Sequence, residues 1–72
     1  MPEPSALGRN LKRLRVARGL SQNALAKLSG VSQGFVNNLE TGQRVRATTD
    51  TAMALARALG VTVDELLREE GN

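Results

Sequence analysis

The sequence predicts an all-α fold of five short helices. Apolar residues recur at helical spacing, Ser and Thr stand where N-caps belong, and Gly follows where each of the first four helices would stop. No stretch carries the two-residue alternation of a half-buried strand. The 72 residues make one domain, read as a flexible N-terminal arm over 1–5, a helical domain over 6–68 and a tail over 69–72. The core must be aliphatic, because Phe35 is the single aromatic residue.

The first helix is expected from Ala6 to Arg18. Leu7, Leu11 and Leu14 fall at i, i+4 and i+7, with Val16 and Ala17 beside them and Arg9, Lys12 and Arg13 off the stripe. Gly19 suits its stop, since glycine accepts the left-handed backbone that closes a helix. The second helix, Gln22 to Ser29, has Ser21 as N-cap and a staple of Leu20 against Leu25. Leu25 and Leu28 are expected to face inward, and Gly30 ends the helix. The third, Gln33 to Glu40, has Ser32 as N-cap, a staple of Val31 against Val36, and Val36 and Leu39 inward, with Gly42 closing it.

A polar, basic loop over residues 43–47 precedes the fourth helix, which begins with Thr48 or Thr49 as cap. That helix buries Ala52, Leu55, Ala56 and Leu59 and stops at Gly60. The fifth helix is brief, with a capping box of Thr62 and Glu65, a staple of Val61 against Leu66, and Leu66 and Leu67 ending the apolar pattern.

Charge is unevenly spread. The net charge is +3, yet from Leu7 to Arg46 eight basic side chains face one acid, Glu40, while from Ala47 onward two face five acids. A basic half attracts a polyanion, of which nucleic acid is the usual one. A run of basic residues is more often just a solvated surface, so charge gains meaning only when joined to architecture.

Several function classes fall away. With neither His nor Cys, the chain offers no thiolate metal site, no disulfide and no imidazole base. The acids stand as adjacent pairs, Asp64/Glu65 and Glu69/Glu70, rather than converging, and no Gly-rich phosphate loop is present. An enzyme is not expected, nor a cofactor, a metal or a small-molecule ligand. No apolar run approaches the roughly 20 residues that span a bilayer, and Met1 to Ser5 lacks the features of a secretory signal. The expected compartment is the cytosol.

The second and third helices carry the functional reading. Two capped helices joined by so short a turn must cross steeply, which is helix-turn-helix geometry. The second of such a pair lies in the major groove of DNA. With Val36 and Leu39 turned inward, Gln33, Gly34, Asn37 and Asn38 remain on its outer side. A side-chain amide offers an acceptor and two donors, which lets it bind adenine at N6 and N7 together. A single amide on a helix is usually a solvated residue; three on this face favour base reading.

The stretches Leu14, Arg15, then Arg18, Gly19, Leu20, Ser21, Gln22, then Leu25, Ala26, then Gly30, Val31, Ser32, Gln33, then Val36, Leu39, Glu40 and Gly42 resemble the Cro/C1-type (XRE) helix-turn-helix family. The ending, Ala56, Ala58, Leu59, Gly60, Val61 and Val63 to Leu67, is similar too. That family includes lambdoid phage repressors and the controller proteins of restriction–modification systems. The resemblance covers about Leu7 to Leu67 and implies a five-helix, lambda-repressor-like domain that regulates transcription, expected here as a repressor binding a palindromic operator as a homodimer.

It also implies residue roles. Gln33, Gly34 and Asn38 would contact bases and Gln22 the DNA backbone; Asn37, on the same outer side, is expected to join the base contacts, and Asn23, next to Gln22, the backbone contacts. Arg15 and Glu40 match a partly buried ion pair; the simpler alternative has Arg15 on a phosphate and Glu40 exposed. Gly34 replaces a polar reader, either for close approach to DNA or to make room for Phe35. Phe35 is equally a contact to a thymine methyl or sugar edge and a core residue. The loop after the third helix is about one residue longer than usual in the family, and its Arg44 and Arg46 suit phosphates. Val63, Leu66 and Leu67 are the expected dimer contacts. A family member whose main partner is another protein, an antitoxin or co-regulator, is the rival reading.

Overall fold

The computed structural model describes residues 2–69. Five helices run in the order α1 (Ala6–Ala17), α2 (Gln22–Ser29), α3 (Gln33–Thr41), α4 (Thr49–Leu59) and α5 (Val63–Leu67). The described residues hold no strand. Of the expected tail, residues 70–72 lie outside the described residues.

Local chemistry sets the boundaries. Ser21 Oγ accepts from the Ala24 amide at 2.9 Å and Ser32 Oγ from Phe35 at 3.1 Å. Each thereby satisfies an amide that the first helical turn leaves open. Thr48, rather than Thr49, caps α4 through Thr51. Thr62 and Glu65 form the reciprocal capping box. Ser5 caps α1 by accepting from Gly8, a cap the sequence reading did not name. At the other end, α1 stops one residue short of Arg18, where Gly19 at φ +69° lets Leu20 N–H reach Arg15 C=O at 3.1 Å.

The core gathers Leu7 and Leu11 of α1, Leu25 of α2, Val36 and Leu39 of α3, Leu55, Ala56 and Leu59 of α4, and Leu66 of α5. α1 packs on α3, α4 and α5, α2 packs on α3 and α4, and α5 also packs on α4. This leaves one side of α3 free.

Two apolar expectations are corrected. Leu28 is 62% exposed, not inward. Residues advance about 100° per step around a helix, and the buried face of α2 centres on Leu25 and Ala26, so Leu28 lies well round the other side. Leu66 is fully buried at 0% exposure and belongs to the core, whereas Leu67 is 48% exposed. Leu66 therefore has no surface to give a second protomer.

Two further residues fix the packing. Gly8 is buried, and a Cβ there would collide with the Leu39 carbonyl oxygen and lie 3.1 Å from Pro4 Cβ, so α1 and α3 meet backbone to backbone. Asn10, also fully buried, donates from Nδ2 to the carbonyls of Leu66 at 2.9 Å and Arg68 at 2.7 Å. It closes the C-terminal end of α5, whose last carbonyls have no partner within the helix.

Candidate nucleic-acid interface

α2 and α3 are joined only by Gly30, Val31 and Ser32. Gly30 takes φ +78°, a conformation that glycine adopts without strain. Val36 and Leu39 anchor α3 in the core. Their opposite side carries Gln33, Gly34 and Asn38, all exposed, with Asn37 half-buried beside them. Apart from its chain neighbours and the backbone of its own helix, no described atom lies within 4 Å of the place a Gly34 Cβ would occupy.

A chain of hydrogen bonds runs from the interior to this face. Arg15 and Glu40 form a bidentate pair: Nε donates to Oε2 at 2.8 Å and Nη2 to Oε1 at 2.9 Å. Their side chains are 11% and 3% exposed. Arg15 Nη1 also donates to the Leu20 carbonyl at 2.7 Å, tying α1 to the approach to α2. The hydrogen bond with Glu40 raises the guanidinium pKa above its ordinary value; burial opposes this and the carboxylate charge adds to it.

Gln22, at the start of α2, continues the chain. Its Nε2 donates to Glu40 Oε1 at 3.0 Å and to Asn37 Oδ1 at 3.2 Å. Its Oε1 accepts from Gln33 Nε2 at 2.7 Å. Four side chains from α2 and α3 are thus joined, and both N–H groups of Gln22 are occupied within the protein. The sequence implies a phosphate contact for Gln22 but holds no local signal for this linkage, which needs α2 and α3 to cross. Asn23, the other α2 residue expected at the DNA backbone, is exposed.

Beside α3, Phe35 is half-buried and packs against the core cluster. The Arg44 guanidinium lies over its ring at 5.1 Å, within the range of cation–π attraction. The Arg44 N–H donates to the Asn38 carbonyl at 2.9 Å, seating the loop against the end of α3. Phe35, Arg44, Arg46, Ala47, Thr48 and Thr51 line a shallow groove of about 350 Å³. Both arginines are exposed. Val63 is half-buried on α5, some distance along the chain from this face.

Asn10 and Gly8 were missed, although each left a trace. Asn10 is a polar residue on the stripe of Leu7, Leu11 and Leu14, and Gly8 is a helix-disfavouring residue inside a helix.

Two capped helices in tight succession, the second offering amides flanked by arginines, define a helix-turn-helix domain. The family comparison agrees: a helix-turn-helix family model matches residues 11–66. The chain belongs to the helix-turn-helix family of Cro/C1 (XRE) type, a family of DNA-binding transcriptional regulators.

It is 43% identical over 61 residues to the uncharacterized HTH-type transcriptional regulator y4dJ of Sinorhizobium fredii, covering 85% of this chain and 78% of that protein. It is 34% identical over 65 residues to the control protein C.SmaI of Serratia marcescens, covering 90% and 76%. The crystal structure of the restriction–modification controller protein C.AhdI from Aeromonas hydrophila superposes with a TM-score of 0.79 at 41% identity, covering 85% of this chain and 91% of that one. Some relatives are longer, and the chain spans about half of their length. Among the described residues no helix is long and apolar enough to cross a membrane.

Proposed function

We propose that this chain is a sequence-specific repressor that binds a palindromic operator as a homodimer and reads the major groove with α3. The observation that carries the reading is the set of amides on the outer side of α3, with Gln33 and Asn37 already held by Gln22. Side chains locked before binding lose less entropy when they meet a base. Gln33, Gly34, Asn37 and Asn38 face bases in this reading.

The phosphates fall to the arginines and to α2. Arg44 and Arg46 take the backbone on one side of α3, with Phe35 stacked under Arg44 against the sugar edge. At the start of α2 the phosphate contact belongs to the open backbone amides of Gln22 and Asn23, because the Gln22 side chain has no N–H to spare. Repression needs only occupancy of a promoter, whereas activation needs a polymerase contact as well.

A single α3 touches few base pairs, so two-fold pairing is the natural route to useful affinity. Exposed Leu67, with Val63 beside it, forms the dimer contact in this reading. Leu67→Asp then gives monomers in sedimentation, while the buried Leu66 tests only folding.

The deciding experiment is selection of bound duplexes from a randomised pool at near-physiological salt. A palindromic consensus, lost on Gln33→Ala, supports the proposal, and its half-site spacing gives the dimer geometry. No enrichment, with binding that collapses as salt rises, leaves only the phosphate contribution and points instead to a protein partner.

A further inference from the structure

The chain of hydrogen bonds behind α3 has a direction, and the direction is set from inside the protein. An ionised carboxylate only accepts hydrogen bonds. Glu40 accepts three: two from Arg15 and one, at 3.0 Å, from Gln22 Nε2. Having no proton to give, Glu40 forces Gln22 to turn its amide nitrogen inward. The Gln22 carbonyl oxygen then faces Gln33, which must answer with a donor, and Gln33 Nε2 does so at 2.7 Å. The second Gln22 N–H goes to Asn37, which must answer with an acceptor, and Asn37 Oδ1 does so at 3.2 Å.

The atoms left over differ between the two readers. Gln33 keeps its oxygen and one N–H, the acceptor–donor set that matches N6 and N7 of adenine. Asn37 keeps both N–H groups and no free amide oxygen facing Gln22, a donor pair that matches guanine O6 and N7 or thymine O4. We propose that Glu40 is a specificity-positioning residue: acting through Gln22, its carboxylate decides which atoms of Gln33 and Asn37 face the DNA, and hence which base each prefers. The inference rests on α3 reading bases.

Replacing the carboxylate with an amide removes the compulsion. A residue at position 40 that can also donate lets Gln22 bind in either orientation. When its oxygen turns inward, its nitrogen faces Gln33, and Gln33 then offers two donors to the groove. Adenine loses its advantage over guanine at that position.

The test uses the intact chain and duplexes that differ only at the base pair whose preference disappears in Gln33→Ala. The wild type favours adenine there. In Glu40→Gln the adenine-to-guanine affinity ratio falls by roughly tenfold, the scale of one bidentate pair, while binding to non-specific duplex is retained. Gln22→Leu, which leaves no unpaired buried charge and so keeps the test alive if Glu40→Gln unfolds, lowers the ratio to the same extent. Adding Glu40→Gln to Gln22→Leu changes it no further. Leu7→Ala, a core variant away from this chain of bonds, lowers stability and keeps the ratio.

An equal loss of affinity for both duplexes in Glu40→Gln and Gln22→Leu makes Glu40 purely structural and overturns the proposal. So does an unchanged ratio in either variant. If Gln33→Ala removes no base preference at all, base reading by α3 falls, and this inference falls with it.

Discussion

Asn10→Ala is expected to be among the most damaging polar substitutions in the molecule. Asn10 is fully buried, and its amide donates at 2.9 and 2.7 Å to two carbonyls at the end of α5. Its third approach, 3.5 Å to the Glu65 carbonyl, is too long to add much. Two hydrogen bonds contribute about 1 kcal/mol each, and a carbonyl left buried without a donor costs about 1–3 kcal/mol more. The Leu66 carbonyl is the buried one and the Arg68 carbonyl can reach water, so only one such penalty applies and the loss comes to about 3–5 kcal/mol. At ~0.05–0.15 kcal/mol per residue, a 72-residue domain holds only ~4–11 kcal/mol in all.

Urea unfolding followed by circular dichroism measures this directly, and Tm falls by at least about 10 °C. Asn10→Asp provides the sharper comparison. It keeps the shape but sets a carboxylate oxygen against two carbonyls, and is worse than Asn10→Ala. A loss under about 0.5 kcal/mol for the alanine, the range of ordinary surface changes, or an aspartate no worse than the alanine, would refute the account of Asn10 as the clasp of α5.

Gly8→Ala destabilises by about 1–3 kcal/mol despite alanine's better helix propensity, because its Cβ has no room beside the Leu39 carbonyl. Gly34→Ala, with open space around it, stabilises by roughly 0.5–1 kcal/mol in the same unfolding assay. The Glu65 carboxylate, held below its ordinary pKa by the hydrogen bonds from the Thr62 amide and hydroxyl, contributes stability that is present above the unfolded-state pKa and lost as pH falls through the lowered folded value. A carbon-detected NMR titration places its midpoint below that of an ordinary glutamate, and Thr62→Ala raises it only part of the way, because the Thr62 amide, the larger cause, remains. Arg44→Ala weakens binding to all duplexes alike and reduces the salt slope by about 1 unit, whereas Phe35→Leu leaves the slope in place.

What the sequence revealed was local. A cap is a bond between residues three apart, so Ser21, Ser32 and the Thr62/Glu65 box could be recognised from adjacent letters. The five helices and the turn between α2 and α3 followed from those signals. What escaped depended on three-dimensional phase or on distant partners. Leu28 has helical spacing from Leu25 yet falls off the buried face, because that face centres between Leu25 and Ala26. The partners of Asn10 lie 56 and 58 residues away along the chain, so no local pattern could name them. At the α3 face the residue types were legible, since amides and arginines announce themselves. The bonds from Gln22 to Gln33, Asn37 and Glu40 were not, because they need the crossing of two helices to exist.

The buried pair raises a question that stability alone does not answer. An apolar pair of similar volume often holds a fold as well as or better than a buried ion pair, since two charges must give up their water. Arg15 and Glu40 are 11% and 3% exposed, so they bear that desolvation. Both are engaged beyond each other, Arg15 with the Leu20 carbonyl and Glu40 with Gln22. A leucine at position 40 could fill the space but could not hold the Gln22 amide. The double substitution Arg15→Met with Glu40→Leu separates the two roles. It stays folded, within about 1–2 kcal/mol of the wild type, and loses most of its adenine preference at the base pair read by Gln33 while still binding duplex through its phosphate contacts. A double variant that unfolds by 3 kcal/mol or more, about the cost of breaking a buried pair outright, would show that the pair is kept for the fold; one that folds and discriminates fully would show that Gln22 orients itself without it.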